Sequence, residues 1–140
     1  MIENKEKRPG VGVGVYILRE GKVLLGKRKN SHGAGSWCPP GGHIEFGEDI
    51  FNCAIRETLE EAGVTIKNLK YGPYTNDVFE KEGKHYVTLA IIAEYDSGEA
   101  ELKEPEKCEE WKWFDWNSLP TPLFLPTKNL VKLRFNPFKK

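Results

Sequence analysis

Three glutamates at helical spacing suggest the chemistry of this chain. Glu57, Glu60 and Glu61 stand at positions i, i+3 and i+4 of one segment, so a helix would bring their carboxylates to one side. Like charges at this spacing repel one another by about a few tenths of a kcal/mol per pair. A divalent cation such as Mg²⁺ would relieve this repulsion, because it takes oxygen ligands and usually shares its site with substrate phosphates. A solvated acidic helix face is the alternative interpretation of the three residues taken alone.

The segment that carries these glutamates has the start and stop signals of a helix. Asp49 can accept hydrogen bonds from the free N–H groups of the first turn, and Gly63 suits the left-handed residue that ends a helix. A stripe at helical spacing predicts the buried face, with the glutamates roughly opposite; it comprises Phe51, Ile55, Thr58, Leu59 and Ala62.

A larger motif surrounds the helix and resembles the Nudix box. Its order is glycine, five residues, glutamate, seven residues, and then Arg-Glu-x-x-Glu-Glu-x-Gly with a final aliphatic residue. The matching positions are Gly42, Glu48, Arg56, Glu57, Glu60, Glu61, Gly63 and Val64. Thr58 stands where the motif has an apolar residue, which is a mild departure because threonine still presents a methyl group.

The resemblance extends over nearly all of the chain after Arg8, through the segments RPGVGVGV, VLLGKRK, GAGSW, PGGHIEFGE and EPEKCEEWKWF. These segments are similar to MutT-like Nudix hydrolases, in particular to the animal type-fifteen nucleotide triphosphate diphosphatase branch and its plant cytosolic relatives. The resemblance implies an α/β fold, the Nudix α/β/α sandwich with a mixed sheet and the loop-helix-loop of the Nudix box. It also implies a homodimer.

The activity that the resemblance implies is Mg²⁺-dependent, with Mn²⁺ as the alternative ion. The enzyme would cleave a nucleoside triphosphate to the monophosphate and pyrophosphate, and would remove modified nucleotides such as 8-oxo-dGTP from the nucleotide pool. Another diphosphate remains an alternative substrate: a prenyl diphosphate, a dinucleoside polyphosphate or a nucleotide sugar. A Nudix-like nucleotide sensor without catalysis is a second alternative, although such a module would be expected to have lost carboxylates of the box.

The resemblance implies the following roles for individual residues. The metal ligands would be Gly41, through its carbonyl, with Glu57, Glu60 and Glu61. The catalytic set would be Glu57, Arg56, Glu60 and Glu48, in which Arg56 holds the glutamates, Glu48 braces the loop and Glu57 takes a proton from water. His43 and His85 are alternative bases, because histidine titrates near neutral pH. A further ligand would come from Glu104 or Glu106, between which the sequence does not choose.

The substrate positions implied by the resemblance fall into two groups. Arg28 and Lys27 would lie near the phosphates, whereas Cys38, Thr88, Phe124 and Thr127 would lie on the side of the base. The Cys38-Pro39 pair departs from the family, which has glutamine or alanine followed by leucine there. Since Pro39 has no N–H and restricts the residue before it, the identity of the base stays open.

Apolar alternation and turn residues predict the elements that position these residues. Strands are expected over 10–15, 23–25, 64–79, 86–95 and 110–116, and a late helix is expected over 126–133. Strands around one central helix predict a layered α/β domain. The tryptophans and phenylalanines of the 111–124 region look exposed, which independently favours the homodimer.

Composition limits the remaining possibilities. Residues 1–140 fit one domain, with 1–8 expected to be flexible, and 21 basic residues balance 21 acidic ones. This balance argues against a nucleic-acid polymer as partner. Three cysteines without CxxC spacing predict reduced thiols in a cytoplasmic protein rather than a zinc site. Without an apolar run of membrane-spanning length, no membrane association is expected.

Overall fold

The computed structural model describes residues 7–30 and 32–139. The strands are β1 (Gly10–Arg19), β2 (Lys22–Arg28), β3 (Trp37–Cys38), β4 (Gly41–His43), β5 (Thr65–Phe79), β6 (Lys84–Ser97) and β7 (Cys108–Asp115). The helices are α1 (Ile50–Ala62) and α2 (Leu125–Lys132), with a 3₁₀ turn at Trp116–Ser118. Of the segment expected to be flexible, residues 1–6 lie outside the described residues.

All seven strands belong to one mixed sheet with β1 near its centre. Strand β1 pairs in parallel with β6, whereas its pairings with β2 and β4 are antiparallel. Strands β1 and β2 pair only near the hairpin that joins them and then diverge. The short strands β3 and β4 fill the resulting gap, β3 against β2 and β4 against β1. This arrangement brings Gly41 and Gly42 of β4 to the centre of the sheet.

The two helices cover opposite faces of the sheet. One face of β1 contributes Val13, Val15 and Ile17 to a cluster that includes buried residues of α1. The other face contributes Tyr16, which packs near Leu130 of α2. The predicted α/β/α sandwich with a mixed sheet is therefore confirmed. In the part of the chain described, no helix is long and apolar enough to cross a membrane.

Helix α1 has the expected ends but a different buried face. Asp49 Oδ2 accepts a hydrogen bond from the Asn52 N–H at 3.1 Å, and Gly63 is left-handed with φ 71°. The expectation that Ile55 and Leu59 are buried is wrong, because their side chains are 40% and 52% exposed. The buried residues are Cys53, Ala54, Thr58 and Ala62. Small side chains on this face allow the helix to pack closely against the sheet.

The departure at Thr58 leaves a buried hydroxyl without a partner. Thr58 is fully buried, and its Oγ1 makes no hydrogen bond in the structure. Because an unsatisfied buried hydroxyl costs about 1–3 kcal/mol, Thr58→Val should raise the free energy of unfolding by about 1 kcal/mol and Tm by about 4 °C. Thermal denaturation measures this, with Thr65→Val on the exposed part of β5 as the control. An unchanged or lower Tm for Thr58→Val would contradict the prediction.

The other predicted elements are observed with bounds that differ from the expected ones by up to four residues. The strands expected over 64–79 and 86–95 form the long antiparallel pair β5 and β6, and the late helix is α2. The strands β3 and β4 and the 3₁₀ turn were not predicted. Each has only two or three residues, too few to show periodicity, and β3 and β4 are held by pairing with distant strands.

The aromatic residues of the 111–124 region are not an exposed patch. Trp113 packs edge-on against Tyr95, and Phe114 packs edge-on against Trp37. These side chains, like Trp111, Trp116 and Phe124, are half-buried. The expectation that they favour a dimer through exposure is therefore wrong, because tertiary packing covers them. The exposed apolar residues lie elsewhere, including on α1 and β5.

Candidate active site

One cavity of about 710 Å³ lies where β3 and β4 fill the gap between β1 and β2. Its wall combines residues predicted for the phosphate end with residues predicted for the base end. The predicted residues that line it are Arg28, Cys38, Gly41, Glu57, Glu61, Thr88, Glu104, Phe124 and Thr127. A single cleft therefore contains both halves of the site.

Gly41 and Gly42 of β4 make the close approach between strand and helix possible. A Cβ atom at Gly42 would fall on the carboxylate of Glu57, and one at Gly41 would fall on the carbonyl oxygen of Val13. The N–H of Gly41 also donates a hydrogen bond to Glu61 Oε1 at 3.2 Å. The two glycines of the motif are thus required because a side chain at Gly41 would displace β1, and one at Gly42 would displace the Glu57 carboxylate.

The carboxylates of Glu57 and Glu61 face each other in this cleft. The pKa of Glu61 is raised to about 8, mainly by burial and also by the charges of Glu57 and Glu104, whereas the Gly41 N–H opposes the shift. Burial also raises the pKa of Glu57, although a hydrogen bond with Glu61 and the charge of Arg56 lower it. Two ionised carboxylates are therefore unfavourable at this place unless a cation neutralises them.

Arg56 is committed to the acidic residues beside the cleft. Its Nε and Nη2 atoms donate to the two carboxylate oxygens of Glu48 at 2.7 and 3.0 Å, and these hydrogen bonds hold the pKa of Glu48 at about 2. Its Nη1 lies 3.4 Å from Glu57 and 3.2 Å from Glu60. One guanidinium thus joins the loop before α1 to two of the predicted ligands.

Glu60 is placed differently from Glu57 and Glu61. Its side chain is 52% exposed, bonds to Arg56 and does not line the cavity. Within residues 7–30 and 32–139, no three His, Cys, Asp or Glu side chains are grouped as a ready metal cage. The role of Glu60 as a ligand stays a prediction.

The structure separates the two acidic residues between which the sequence did not choose. Glu104 lines the cavity, and its charge acts on both Glu57 and Glu61. Glu106 is exposed, is absent from the cavity wall described here, and uses its backbone carbonyl to accept a hydrogen bond from Asn30. Glu104 is therefore the better-placed candidate for a further ligand.

Arg28 connects the phosphate end to the base end. Its Nε donates to the carbonyl of His32 at 3.0 Å, and its Cζ lies 3.9 Å from the ring centroid of Phe124. Its Nη1 also contacts Cys38 Sγ at 3.7 Å. Burial raises the pKa of the Cys38 thiol to about 11, which keeps it neutral at pH 7. Lys27, the adjacent residue of β2, is not among the described residues that line the cavity.

Sequence analysis missed most of the aromatic wall of the cavity. Phe79 contacts His32 edge-on at 4.3 Å and lies 5.4 Å from Phe124 between ring centroids. His43 stacks on Tyr86 at 5.1 Å and lines the same cavity, whereas the other candidate base, His85, does not line it. No periodic signal marks these residues, because they come from separate strands and loops and meet only in the folded chain.

The residues at the phosphate end fit a hard divalent cation. Carboxylate oxygens of Glu57 and Glu61 converge where a cation would offset their mutual repulsion, and the Gly42 position has no side chain that could fill the space. Mg²⁺ and Mn²⁺ prefer oxygen donors of this kind to thiolate or imidazole ligands. Cys38 and Cys108, which also line the cavity, are free thiols with raised pKa values and are poor ligands in that state.

Comparison with known proteins identifies the family. Residues 8–133 match the NUDIX domain model, and the chain belongs to the Nudix family of hydrolases. It resembles the MutT NUDIX hydrolase from Burkholderia pseudomallei, with a TM-score of 0.83 and 32% identity over 91% of this chain and 98% of that one.

Two relatives with assigned activities differ in substrate. The chain is 38% identical to the NAD-capped RNA hydrolase NudC of Chromobacterium violaceum over 76% of its own length. It is 37% identical to the oxidized purine nucleoside triphosphate hydrolase of Danio rerio, again over 76% of its own length. The chain spans 38% of the first relative and 66% of the second.

Proposed function

We propose that this chain is a metal-dependent pyrophosphohydrolase that cleaves a modified nucleoside triphosphate, such as 8-oxo-dGTP, to the monophosphate and pyrophosphate. The observation that carries the proposal is the juxtaposition, in one cavity, of the Glu57–Glu61 carboxylates with the Arg28–Phe124 pair. The first pair suits a cation on phosphate oxygens, and the second suits a phosphate beside an aromatic base. The resemblance to the Danio rerio enzyme supports the choice of a modified purine.

The chain's own residues would divide the work as follows. Glu57, Glu60, Glu61 and the Gly41 carbonyl would hold Mg²⁺, with Glu104 as a further ligand. When bound, the ion supplies positive charge for the phosphate oxygens and makes water more acidic. Arg28 would neutralise charge on the outer phosphates, and Glu57 would accept the proton of the attacking water. Glu48 acts through Arg56, which holds Glu57 in position.

A product assay tests the proposal. The chain is incubated with 8-oxo-dGTP and Mg²⁺, and the products are separated by ion-exchange chromatography. We expect nucleoside monophosphate and pyrophosphate in equal amounts, with no turnover in EDTA. In ¹⁸O-labelled water the label should enter pyrophosphate only, as expected for attack at the β-phosphorus. Direct release of orthophosphate and nucleoside diphosphate would contradict the proposed reaction.

A substrate panel distinguishes the alternatives. Values of kcat/KM are compared for 8-oxo-dGTP, dGTP, a prenyl diphosphate, a dinucleoside polyphosphate, a nucleotide sugar and an NAD-capped RNA, the last because of the resemblance to NudC. We expect the modified triphosphate to have the highest value. A higher value for a non-nucleotide diphosphate or for the RNA would replace the proposed substrate. Binding of nucleotide without turnover of any compound would favour the sensor alternative.

The proposal includes a homodimer, which is supported by exposed apolar surface on α1 and the end strand β5. Leu59 and Tyr71 are 52% and 59% exposed, and Tyr71 packs against Phe51 of α1. Light scattering at micromolar concentration should give about 32 kDa, twice the 16.0 kDa of one chain. Leu59→Glu should weaken the dimer, whereas Leu102→Glu, in the connection before β7, should not. A mass near 16 kDa for the unmodified chain would contradict this prediction.

A further inference from the structure

Asp77 is a buried carboxylate beside the base end of the cavity, and the motif analysis did not single it out. It lies on β5 and is fully buried. Three side chains donate hydrogen bonds to it: Thr75 Oγ1 at 3.0 Å and Thr88 Oγ1 at 2.6 Å, both to Oδ2, and Asn129 Nδ2 at 2.9 Å to Oδ1. A buried charge is tolerated only when it is paired or fully hydrogen-bonded. These donors, from β5, β6 and α2, meet that requirement.

The Asp77 carboxylate determines which atom donates in each of these three hydrogen bonds. An ionised Asp accepts hydrogen bonds and cannot donate, so the hydroxyl protons of Thr75 and Thr88 both point towards Asp77. A threonine hydroxyl has one proton and two lone pairs. Since the proton of Thr88 is committed to Asp77, any further hydrogen bond that Thr88 Oγ1 makes must be one that it accepts. Thr88 lines the cavity, as do Tyr16 and Thr127.

The hydrogen bond between the Tyr16 and Thr127 hydroxyls does not have a fixed direction. Tyr16 and Thr127 bond to each other at 2.9 Å, and either hydroxyl can be the donor. This pair can therefore turn to suit a ligand, whereas Thr88 cannot. Among the cavity hydroxyls described here, Thr88 is the one whose polarity is determined by a buried charge.

We propose that Asp77, acting through Thr88, makes the base end of the cavity select a nucleobase whose exocyclic amino group donates a hydrogen bond to Thr88. The inference rests on the proposed function in requiring a nucleoside ligand, but not on the cleavage step. Asp77 is in this sense a positioning residue, and Thr88 is the specificity-determining contact. A base with a carbonyl or a bare C–H at the same place leaves Thr88 Oγ1 without a donor and is bound less tightly.

The test measures binding of nucleoside monophosphates by isothermal titration calorimetry, so that it does not depend on hydrolysis. Three pairs differ by one exocyclic amino group: GMP and IMP, AMP and purine riboside monophosphate, and CMP and 2-pyrimidinone riboside monophosphate. We expect the amino compound of at least one pair to bind about tenfold more tightly. Thr88→Val should reduce that ratio to within about twofold, whereas Thr88→Ser, which keeps the hydroxyl, should retain it.

Asp77→Asn tests the origin of the polarity. Its amide can donate to Thr88 and free the threonine proton, so the amino preference should shrink or reverse, while Thr65→Val on the exposed part of β5 should leave it unchanged. A purely structural defect is not expected to change the affinity ratio within a pair of nucleotides. If Asp77→Asn does not fold, the Thr88 variants alone test the inference. Ratios below twofold in all pairs, an unchanged ratio in Thr88→Val, or no binding of any monophosphate would overturn the inference. Selective binding without pyrophosphate release would overturn only the proposed function.

Discussion

The Glu61→Gln variant is expected to lose at least about 10²-fold in kcat while it keeps its fold. Glu61 is largely buried in the cleft, faces Glu57 and accepts a hydrogen bond from the Gly41 N–H. Glutamine keeps the size and this acceptor but removes the charge that would hold a divalent cation. Steady-state kinetics with saturating Mg²⁺ measures the loss, and thermal denaturation in EDTA checks that Tm falls by no more than a few degrees.

Glutamine substitutions of the other glutamates test the same prediction. Glu57→Gln and Glu60→Gln should each cause a comparable loss, because both carboxylates are predicted ligands. Glu104→Gln should lower turnover, whereas Glu106→Gln, outside the cavity wall, is the matched control and should not. Near-normal kcat in both Glu57→Gln and Glu61→Gln would remove α1 from the mechanism.

The second large effect is expected from Arg56→Lys, although this substitution keeps the positive charge. The guanidinium holds Glu48 through two hydrogen bonds at 2.7 and 3.0 Å and reaches Glu57 and Glu60 with its remaining nitrogen. A lysine ammonium cannot reproduce this planar fork. Because residues that orient metal ligands contribute about 10- to 100-fold in affinity or activity, the Mg²⁺ concentration for half-maximal activity should rise by that factor.

The measurement is kcat/KM at a series of Mg²⁺ concentrations, with the substrate held at one concentration well below KM. Arg19→Lys is the matched control, because Arg19 lies over Tyr95 and does not line the cavity. Its Mg²⁺ dependence should be unchanged. The same dependence in Arg56→Lys would mean that Arg56 is a surface cation of the helix and does not organise the ligands.

The sequence predicted elements whose signals are local. The caps at Asp49 and Gly63 bounded α1 correctly, because each acts on the backbone of its own helix end. The alternation of Val11, Val13 and Val15 with glycines indicated a strand, because side chains of a strand point alternately to its two faces, and Val13 and Val15 are buried. The spacing of the Nudix box indicated the family, and residues 8–133 match its model.

The buried face of α1 was predicted only in part. Ile55 and Leu59 have the apolar character of core residues, yet Cys53 and Ala54 are the ones buried. Periodicity alone allows neighbouring faces of one helix to be confused, since adjacent residues differ by only ~100° around its axis. The choice depends on which side chains let the helix approach the sheet, and that is a property of the packed structure.

The sequence by itself therefore determined the fold class, the main helix and the type of chemistry, because these follow from local patterns and a contiguous motif. Only the tertiary structure decided which residues share the cavity. It selected Glu104 over Glu106, turned Glu60 towards Arg56, and assembled Phe79, Tyr86 and His32 into an aromatic wall. It also joined Tyr16 to Thr127, which are 111 residues apart, and surrounded Asp77 with donors from three elements. Contacts of this kind depend on how separate strands and helices meet, and no spacing along the chain records them.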